Sequence, residues 1–317
     1  MYRCWGRRIS LVLPAGAKKQ MKQVRLILLG LLLLVPVSVY AQRDPPTSEI
    51  ELRSALLGRA IKYRILYPVK YEYPENREKR FPVLYLLHGI TGHSSNWLEK
   101  TGVALYATHY DLFIVMVEGN NGWYTDSAAV PVDKYESYIL RELIPDVEKR
   151  FRVSTLREGR AIAGLSMGGY GAIKFGLKHP EMFALAASMS GAFKAPSWTD
   201  KELTDPGVIR DSVWQTFGPV NSPTRAANDL FKLAREIPTQ QIASLPYFYF
   251  DCGTEDFFFS DNRDLASLFL ELKIPHEYRE LPGTHSWPYW DAQLQEIIKL
   301  AARKLRESEA SAKIAAH

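Results

Sequence analysis

Short apolar runs without clean alternation recur through the middle of the chain, and most of them end at a glycine or a serine. Strands that are buried on both faces have this pattern, which favours a parallel sheet. Segments with helical spacing separate the runs. The predicted strands cover residues 82–89, 112–119, 160–166, 183–191, 246–253 and 276–281. The predicted helices cover residues 135–150, 168–178, 262–272 and 287–305.

Two flanking regions complete this picture. Residues 49–68 carry two β-rich runs joined at Gly58, which predicts an antiparallel pair that opens the sheet. After it, strand and helix alternate, as in a mostly parallel, doubly wound α/β sheet whose ligands bind at the carboxyl ends of the strands. Residues 194–234, after position 193, break the rhythm with four prolines among aromatic residues. We interpret them as an insertion, either a cover over the site or a passive surface excursion.

The first 41 residues have the pattern of a secretory signal peptide. Basic residues precede an apolar run at 26–37, and Ala41 offers a small-residue cleavage site. The run is shorter than the ~20 residues that a membrane span needs, so we expect no stable membrane anchor after cleavage. Met21 would be a more natural start than Met1. The interpretation places the mature protein in the periplasm or outside the cell.

The leader also accounts for the basic charge of the chain. It contains seven Lys or Arg residues and no acidic residue, so removing it changes the net charge from +5 to about −2. The charge therefore indicates no nucleic-acid partner. Cys252 is left as the one cysteine and cannot form an internal disulfide. We expect residues 42–317 to form a single domain that depends on its apolar core.

The strongest chemical signal is Gly164-Leu165-Ser166-Met167-Gly168, between a predicted strand and a predicted helix. A strand-to-helix turn of this kind needs glycines where a Cβ would clash, and it exposes the serine hydroxyl above the sheet. Helix N-terminal amides then face the charge that develops on a substrate. A serine that merely caps the helix is the alternative. The context favours Ser166 as a nucleophile.

A serine nucleophile needs a base and an acid that orients it, both later in the chain if the order is Ser, Asp, His. His285 lies in a loop between a strand and the last helix, whereas His276 lies within a strand. We therefore predict His285 as the base. The strand at 246–253 is followed by Asp256, which we predict as the acid, with Glu255 as the fallback.

Acyl transfer also needs amide donors for the oxyanion. The amides of Met167, after the nucleophile, and of Ile90, in the glycine-containing loop after an early strand, are the candidates. His88 and His93 flank Ile90, but no carboxylate or cysteine joins them at the spacing of metal ligands. No metal and no cofactor are expected.

Five segments together resemble the esterase D-like family, which includes formylglutathione hydrolases, feruloyl and acetylxylan esterases, tributyrin esterases and mycolyltransferases. The segments are LYLLHGITGHSSNW, NGWYTD, AIAGLSMGGYGA, CGTEDFFF and GTHSWPYW, in that order along the chain. The resemblance implies an α/β-hydrolase fold and the same triad of Ser166, Asp256 and His285. It also implies the amides of Ile90 and Met167 as the oxyanion hole. The leader departs from the cytoplasmic members and disfavours an intracellular thioester substrate.

Four aromatic residues lie within or beside these segments: Trp97, Trp123, Tyr124 and Trp287. They could stack on a sugar or an aromatic acyl group, or pack in the core. The predicted function is hydrolysis of short-chain acyl or carbohydrate-linked esters through an acyl-enzyme. Acyl transfer to a sugar hydroxyl is the alternative, and a non-catalytic binding module is a minor one.

Overall fold

The structure, a computed structural model, describes residues 46–204 and 206–315, with side chains through residue 308. The predicted leader, its cleavage site and the alternative start at Met21 lie outside the described residues. The residues described fall within one compact unit, Asp44–His317. Over these residues, no helix combines the length and apolar character needed to cross a bilayer.

The centre of the fold is an eight-stranded sheet in the order β1-β2-β4-β3-β5-β6-β7-β8. Strands β3 to β8 pair in parallel, whereas β1 pairs with β2, and β2 with β4, in antiparallel fashion. This is the mostly parallel, doubly wound α/β-hydrolase sheet that the sequence predicted. The strands are β1 Thr47–Ser54, β2 Arg59–Leu66, β3 Val83–Leu87, β4 Phe113–Val117, β5 Arg160–Leu165, β6 Leu185–Met189, β7 Tyr247–Gly253 and β8 His276–Leu281.

Ten α-helices follow or connect these strands in the described part of the chain. They are α1 Asn96–Lys100, α2 Val103–Ala107, α3 Tyr135–Tyr138, α4 Ile144–Arg150, α5 Met167–Lys178, α6 Val208–Phe217, α7 Pro223–Asn228, α8 Leu230–Glu236, α9 Phe259–Glu271 and, at the end, α10 Trp287–Ala315, with α3 and α4 joined through a π-helical turn, Ile139–Leu143. The π-helical turn lies just before Pro145, which has no N–H to continue an α-helical ladder. The predicted helix at 135–150 is therefore interrupted.

Alternate side chains of the central strands point into two separate cores. On one face, Tyr85 and Ile162 belong to an apolar cluster that includes Ile173 of α5. On the other face, Leu84 and Ala163 belong to a cluster that includes residues of α10. Burial on both faces explains why these strands lack polar alternation. Strand β1, at the edge of the sheet, does alternate between exposed and partly buried positions.

The insertion after residue 193 forms a 3-10 turn at Ala195–Ser197 and helices α6 to α8. Backbone hydrogen bonds join its helix α6 to the segment before α3: the amides of Ala128 and Ala129 donate to the carbonyls of Thr216 and Gln215, at 2.8 and 3.1 Å. Trp198 stacks on Phe258, with ring centroids 5.6 Å apart. The insertion is therefore packed against the segments that surround the candidate site.

Candidate active site

Ser166 occupies the sharp turn between β5 and α5. Its backbone has φ 53° and ψ −117°, which costs on the order of 1–3 kcal/mol for a residue with a Cβ. The adjacent glycines permit this turn. A Cβ on Gly164 would lie 2.4 Å from the carbonyl of Gly168, and one on Gly168 would lie 2.2 Å from the Leu87 carbonyl oxygen. The turn therefore packs directly against the end of β3.

His285 lies in the loop between β8 and α10, at the same edge of the sheet as Ser166. Its Nε2 is 3.0 Å from Ser166 Oγ, and its Nδ1 is 2.9 Å from Asp256 Oδ2. When Nδ1–H donates to the carboxylate, Nε2 has a lone pair that faces the serine hydroxyl. The fold thus brings the three predicted residues into one hydrogen-bonded line, although Ser166 and His285 are 119 positions apart in the chain.

The carboxylate of Asp256 is fully buried and accepts two hydrogen bonds. One comes from His285, and the amide of Phe258 donates the other to Oδ1 at 2.8 Å. Burial alone would raise the pKa of Asp256, but these donors outweigh burial and lower the pKa. The carboxylate is therefore ionised at neutral pH, as is required of a group that stabilises an imidazolium.

Glu255, the fallback for the acid, has a different position. Its Oε2 accepts a hydrogen bond from the amide of Gly283 at 2.6 Å, two residues before His285. The side chain is exposed and makes no hydrogen bond to the imidazole. Glu255 therefore fastens the loop that carries His285, and Asp256 contacts the imidazole itself.

Aromatic rings surround the imidazole of His285. Trp290 and Phe258 contact it edge to face, with centroids 4.9 and 5.2 Å away, and the exposed Phe257 lies 4.4 Å away. These rings leave 15% of the His285 side chain exposed. Because the rings restrict rotation of the imidazole, its Nε2 is held towards Ser166.

The two candidate oxyanion donors flank Ser166. Ile90 lines the same cleft as Ser166, and Met167 is the first residue of α5. Neither amide donates a hydrogen bond to any other residue in the described ranges. Both N–H groups are thus available to a substrate, and their role as an oxyanion hole stays a prediction.

The cleft over Ser166 has a volume of about 490 Å³. It is lined by Gly89, Ile90, Thr91, Gly92, Asn96, Lys100, Leu165, Ser166, His285, Ser286, Trp287, Pro288 and Trp290. Of the four aromatic residues singled out in the sequence, Trp287 lines this cleft. The other three are buried: Trp97 packs edge to face on Trp287, Trp123 Nε1 donates to Ser212, and the Tyr124 hydroxyl donates to a carbonyl.

A second, polar cavity of about 300 Å³ adjoins the cleft, because Thr91 and Gly92 line both. Its other lining residues are His93, Asn120, Asn121, Gly122, Ser127, Asp133, Tyr135, Gln215 and Thr216. Gln215 and Thr216 come from the insertion. No sequence motif indicates this cavity, because its three wall segments are far apart in the chain and meet only after folding.

A buried ionic cluster, centred on Lys174 of α5, supports the loop that contains Trp123 and Tyr124. Trp123 and Tyr124 have positive φ values of 50° and 53°. The fully buried Lys174 Nζ donates to the Tyr124 carbonyl at 2.6 Å and to Thr125 Oγ1 at 2.7 Å, and pairs with Glu136 at 2.8 Å. These contacts hold the loop in a conformation that non-glycine residues rarely adopt. Sequence reasoning missed Lys174, since a lysine in a helix is usually exposed.

Comparison with known proteins adds family information to this geometry. A family model described as "Putative esterase" matches residues 54–300. An acetyl esterase of Caldicellulosiruptor saccharolyticus is 29% identical over 218 residues, which cover 68% of this chain and 81% of that protein. A diacylglycerol acyltransferase/mycolyltransferase of Mycobacterium leprae is 24% identical over 293 residues, which cover 82% of this chain and 84% of that protein.

Solved structures show the same relationship. A fluorophosphonate-binding serine hydrolase of Staphylococcus aureus superposes with a TM-score of 0.72 at 25% identity. The match covers 82% of this chain and 99% of that one. The matched family region, residues 54–300, contains strands β2 to β8, the turn at Ser166 and the loop at His285.

Proposed function

Because this chain belongs to the Putative esterase family and is a serine carboxylic ester hydrolase, we propose that Ser166, His285 and Asp256 carry out the reaction through an acyl-enzyme. The observation that supports this proposal is the line of hydrogen bonds, of 2.9 and 3.0 Å, from Asp256 through His285 to Ser166 Oγ. A serine hydroxyl is a weak nucleophile, and an adjacent oriented base is the usual means of activating it.

In the proposed mechanism, Ser166 Oγ attacks the ester carbonyl carbon while His285 Nε2 takes the hydroxyl proton. The amides of Ile90 and Met167 donate to the negative oxygen of the tetrahedral intermediate. His285 then gives its proton to the departing alcohol, and the acyl group stays on Ser166. In the second half of the reaction, His285 takes a proton from a water molecule as the water oxygen attacks the acyl carbon. His285 then returns this proton to Ser166 Oγ as the bond between Oγ and the acyl carbon breaks, and the acid is released.

We propose a carbohydrate-linked ester with a short acyl group as the substrate. The cleft offers apolar surface from Leu165, Trp287 and Pro288 for the acyl chain. The polar cavity beside it offers amide, hydroxyl and imidazole groups, which suit an alcohol that has several hydroxyls of its own. The predicted leader supports a periplasmic or extracellular location for the enzyme.

Acyl transfer is the second candidate function. The similarity to the mycobacterial acyltransferase supports it, and the same polar cavity could hold a sugar that accepts the acyl group in place of water. Adding a free sugar acceptor to the reaction separates the two functions. A hydrolase yields mainly free acid, whereas a transferase yields mainly a new sugar ester.

The first test measures hydrolysis of nitrophenyl acetate, butyrate and octanoate, methyl ferulate and acetylated xylan by the mature protein. Ser166→Ala should abolish turnover of whichever substrate is used. Ser188→Ala is a matched control, since the Ser188 hydroxyl is buried and has no hydrogen-bond partner within the described residues. Equal turnover by Ser166→Ala and the wild type would refute the assignment of the nucleophile.

A second test addresses the polar cavity. It compares kcat/KM for a monoacetylated methyl xyloside with kcat/KM for cyclohexyl acetate, which has a ring of similar size without hydroxyls. The double variant His93→Ala/Gln215→Ala should lower this ratio about tenfold, as expected for the loss of two hydrogen bonds. Gln240→Ala, outside both cavities, is the control. An unchanged ratio in the double variant would place the alcohol elsewhere.

A further inference from the structure

His88 lies fully buried beneath the loop that follows β3. Its Nδ1 is 2.7 Å from the carbonyl oxygen of Gly89. Its Nε2 is 3.0 Å from the amide nitrogen of Gly119 and 3.1 Å from Glu118 Oε1. Its own carbonyl accepts a hydrogen bond from the Tyr124 hydroxyl at 2.8 Å. Every polar atom of this ring is therefore engaged, in a site the proposed triad does not use.

These contacts decide where the ring proton lies. A carbonyl oxygen can only accept, so the short contact to Gly89 requires a proton on Nδ1 of His88. In the neutral ring, Nε2 then accepts from the Gly119 amide. In the imidazolium, Nε2–H donates to Glu118 instead. Both states keep the Nδ1–H donor that holds the Gly89 carbonyl.

The Gly89 carbonyl and the Ile90 N–H belong to the same peptide unit. That unit is planar and trans, so its C=O and N–H point in opposite directions. The Gly89 carbonyl is held from below by His88 Nδ1 and by the Gly92 amide at 3.0 Å. Fixing this carbonyl therefore also fixes the direction of the Ile90 N–H, away from His88.

Gly89 itself lies against the nucleophile turn. A Cβ built on Gly89 would lie 2.7 Å from Leu165 Cδ1 and 3.4 Å from Ser166 Cβ. The loop thus packs against the residue that carries the hydroxyl, and Ile90 and Ser166 line one cleft. A peptide flip at Gly89 would replace the Ile90 N–H by a carbonyl oxygen, which repels an oxyanion.

Glu118 completes the support. Its carboxylate accepts from the amides of Ser94 and Asn120, each at 3.0 Å, and from Nε2–H of His88 when that ring is an imidazolium. Burial alone would raise the pKa of Glu118, but the imidazole of His88 and the two amides lower it to about 2. Asn120, with φ 43°, lines the polar cavity. Glu118 therefore connects His88 to a cavity wall.

We propose that His88, held by Glu118, is a positioning residue for the oxyanion hole. Its Nδ1–H anchors the Gly89 carbonyl and so presents the Ile90 N–H to the tetrahedral intermediate at Ser166. This inference rests on the proposed function, in which Ile90 donates to the oxyanion. It assigns a role to a histidine that neither touches the substrate nor binds a metal in the proposed mechanism.

The test compares two substitutions of His88 in the mature enzyme. In His88→Asn, the side-chain amide can place a donor near the position of Nδ1, whereas His88→Ala has none. We expect His88→Ala to lower kcat for nitrophenyl acetate about 10- to 100-fold with KM within about twofold, since oxyanion donors act on the transition state. His88→Asn should recover at least tenfold of that loss. Activities are expressed per folded molecule, with Tm measured for each variant.

His179→Ala is the matched control, because His179 also pairs with a glutamate, Glu136, at 2.9 Å but does not contact the oxyanion loop. It should change Tm and leave kcat per folded molecule unaltered. Equal kcat in His88→Ala, His88→Asn and wild type would overturn the inference while leaving the proposed function intact. Equal turnover by Ser166→Ala and wild type would overturn the proposed function, and this inference with it.

A measurement on the wild-type protein tests the proposal even if the variants fail to fold. Nitrogen-15 NMR of protein labelled at histidine reports which ring nitrogen carries the proton. We expect Nδ1 of His88 to be protonated throughout the pH range in which the protein is folded. An Nε2–H tautomer with a bare Nδ1 would refute the proposed anchor, whatever the kinetics of the variants.

Discussion

Asp251 and Asp256 lie five residues apart, one on strand β7 and the other in the turn after it, and both are buried. Their pKa values nevertheless shift in opposite directions. Burial raises the pKa of Asp251 to about 7, whereas His285 and a backbone amide outweigh burial at Asp256 and lower its pKa. Two similar carboxyl groups thus hold different protonation states near neutral pH.

Hydrogen-bond donors account for the difference. Asp256 accepts from an imidazole and from the Phe258 amide. Asp251 Oδ1 accepts from the Tyr289 hydroxyl at 2.7 Å, while its Oδ2 has no hydrogen-bond partner in the described part of the chain. Burial without enough donors favours the neutral acid, and burial with donors favours the carboxylate. Asp256 is therefore suited to stabilise an imidazolium, whereas ionisation of Asp251 destabilises the fold.

The largest expected effect comes from Asp256→Asn. The amide cannot stabilise an imidazolium and favours the wrong tautomer of His285, so we expect kcat to fall about 10³- to 10⁴-fold. Ester hydrolysis at pH 7 to 8 measures the effect. Glu255→Gln is the matched control and should retain activity within a few-fold, because Glu255 contacts the loop amide of Gly283 and not the imidazole. Similar losses in both variants would show that Asp256 has no special role.

The second prediction concerns stability and pH. The pKa of Asp251 is higher in the fold than its ordinary value of 3.8, so its contribution to stability is fully present below pH ~4 and is lost as pH rises through about 7. Asp251→Asn removes this titration. We expect the variant to gain stability relative to the wild type by a few kcal/mol between pH 4 and pH 8.

Thermal unfolding of both proteins across that pH range tests this expectation. For Asp256→Asn we expect a stability change with the opposite sign. The depressed pKa of Asp256 contributes stability that is present above its unfolded pKa and is lost as pH falls through the folded value. The Asp251→Asn difference should therefore grow with pH, and the Asp256→Asn variant should lose most at neutral pH. If the stability of both variants relative to the wild type changed in the same way with pH, the opposite environments assigned to Asp251 and Asp256 would be wrong.

The smallest effect is expected from Tyr289→Phe, which removes the hydroxyl that donates to Asp251. Loss of this buried hydrogen bond should lower the free energy of unfolding by about 1–2 kcal/mol. The loss should be greater at pH 8, where the carboxyl is ionised, than at pH 5. Denaturant unfolding at the two pH values measures it. Tyr247→Phe, which removes a bond to the partly exposed Glu277, is the control.

Much of the fold followed from local patterns. The buried strands, the antiparallel opening pair and the last helix were predicted in their correct order, because burial on two faces leaves an unbroken apolar run that is readable without tertiary information. The π-helical turn before Pro145 was not predicted, since the π-bulge depends on how the helix packs. The insertion was predicted as a break in rhythm, but its contacts with the segment at 127–129 were not.

The chain alone determined which residues could do the chemistry. Glycines on both sides of Ser166, a histidine in a loop and an acid after a strand are local features, and they predict Ser166, His285 and Asp256 as the candidate triad. Only the tertiary structure decided which neighbours those groups have. Hydrogen-bond partners come from distant segments, and the balance of burial against donors sets each proton equilibrium. That balance distinguishes Asp256 from Asp251, buries Trp123 and Tyr124 away from the cleft, and places His88 beneath the Gly89 carbonyl.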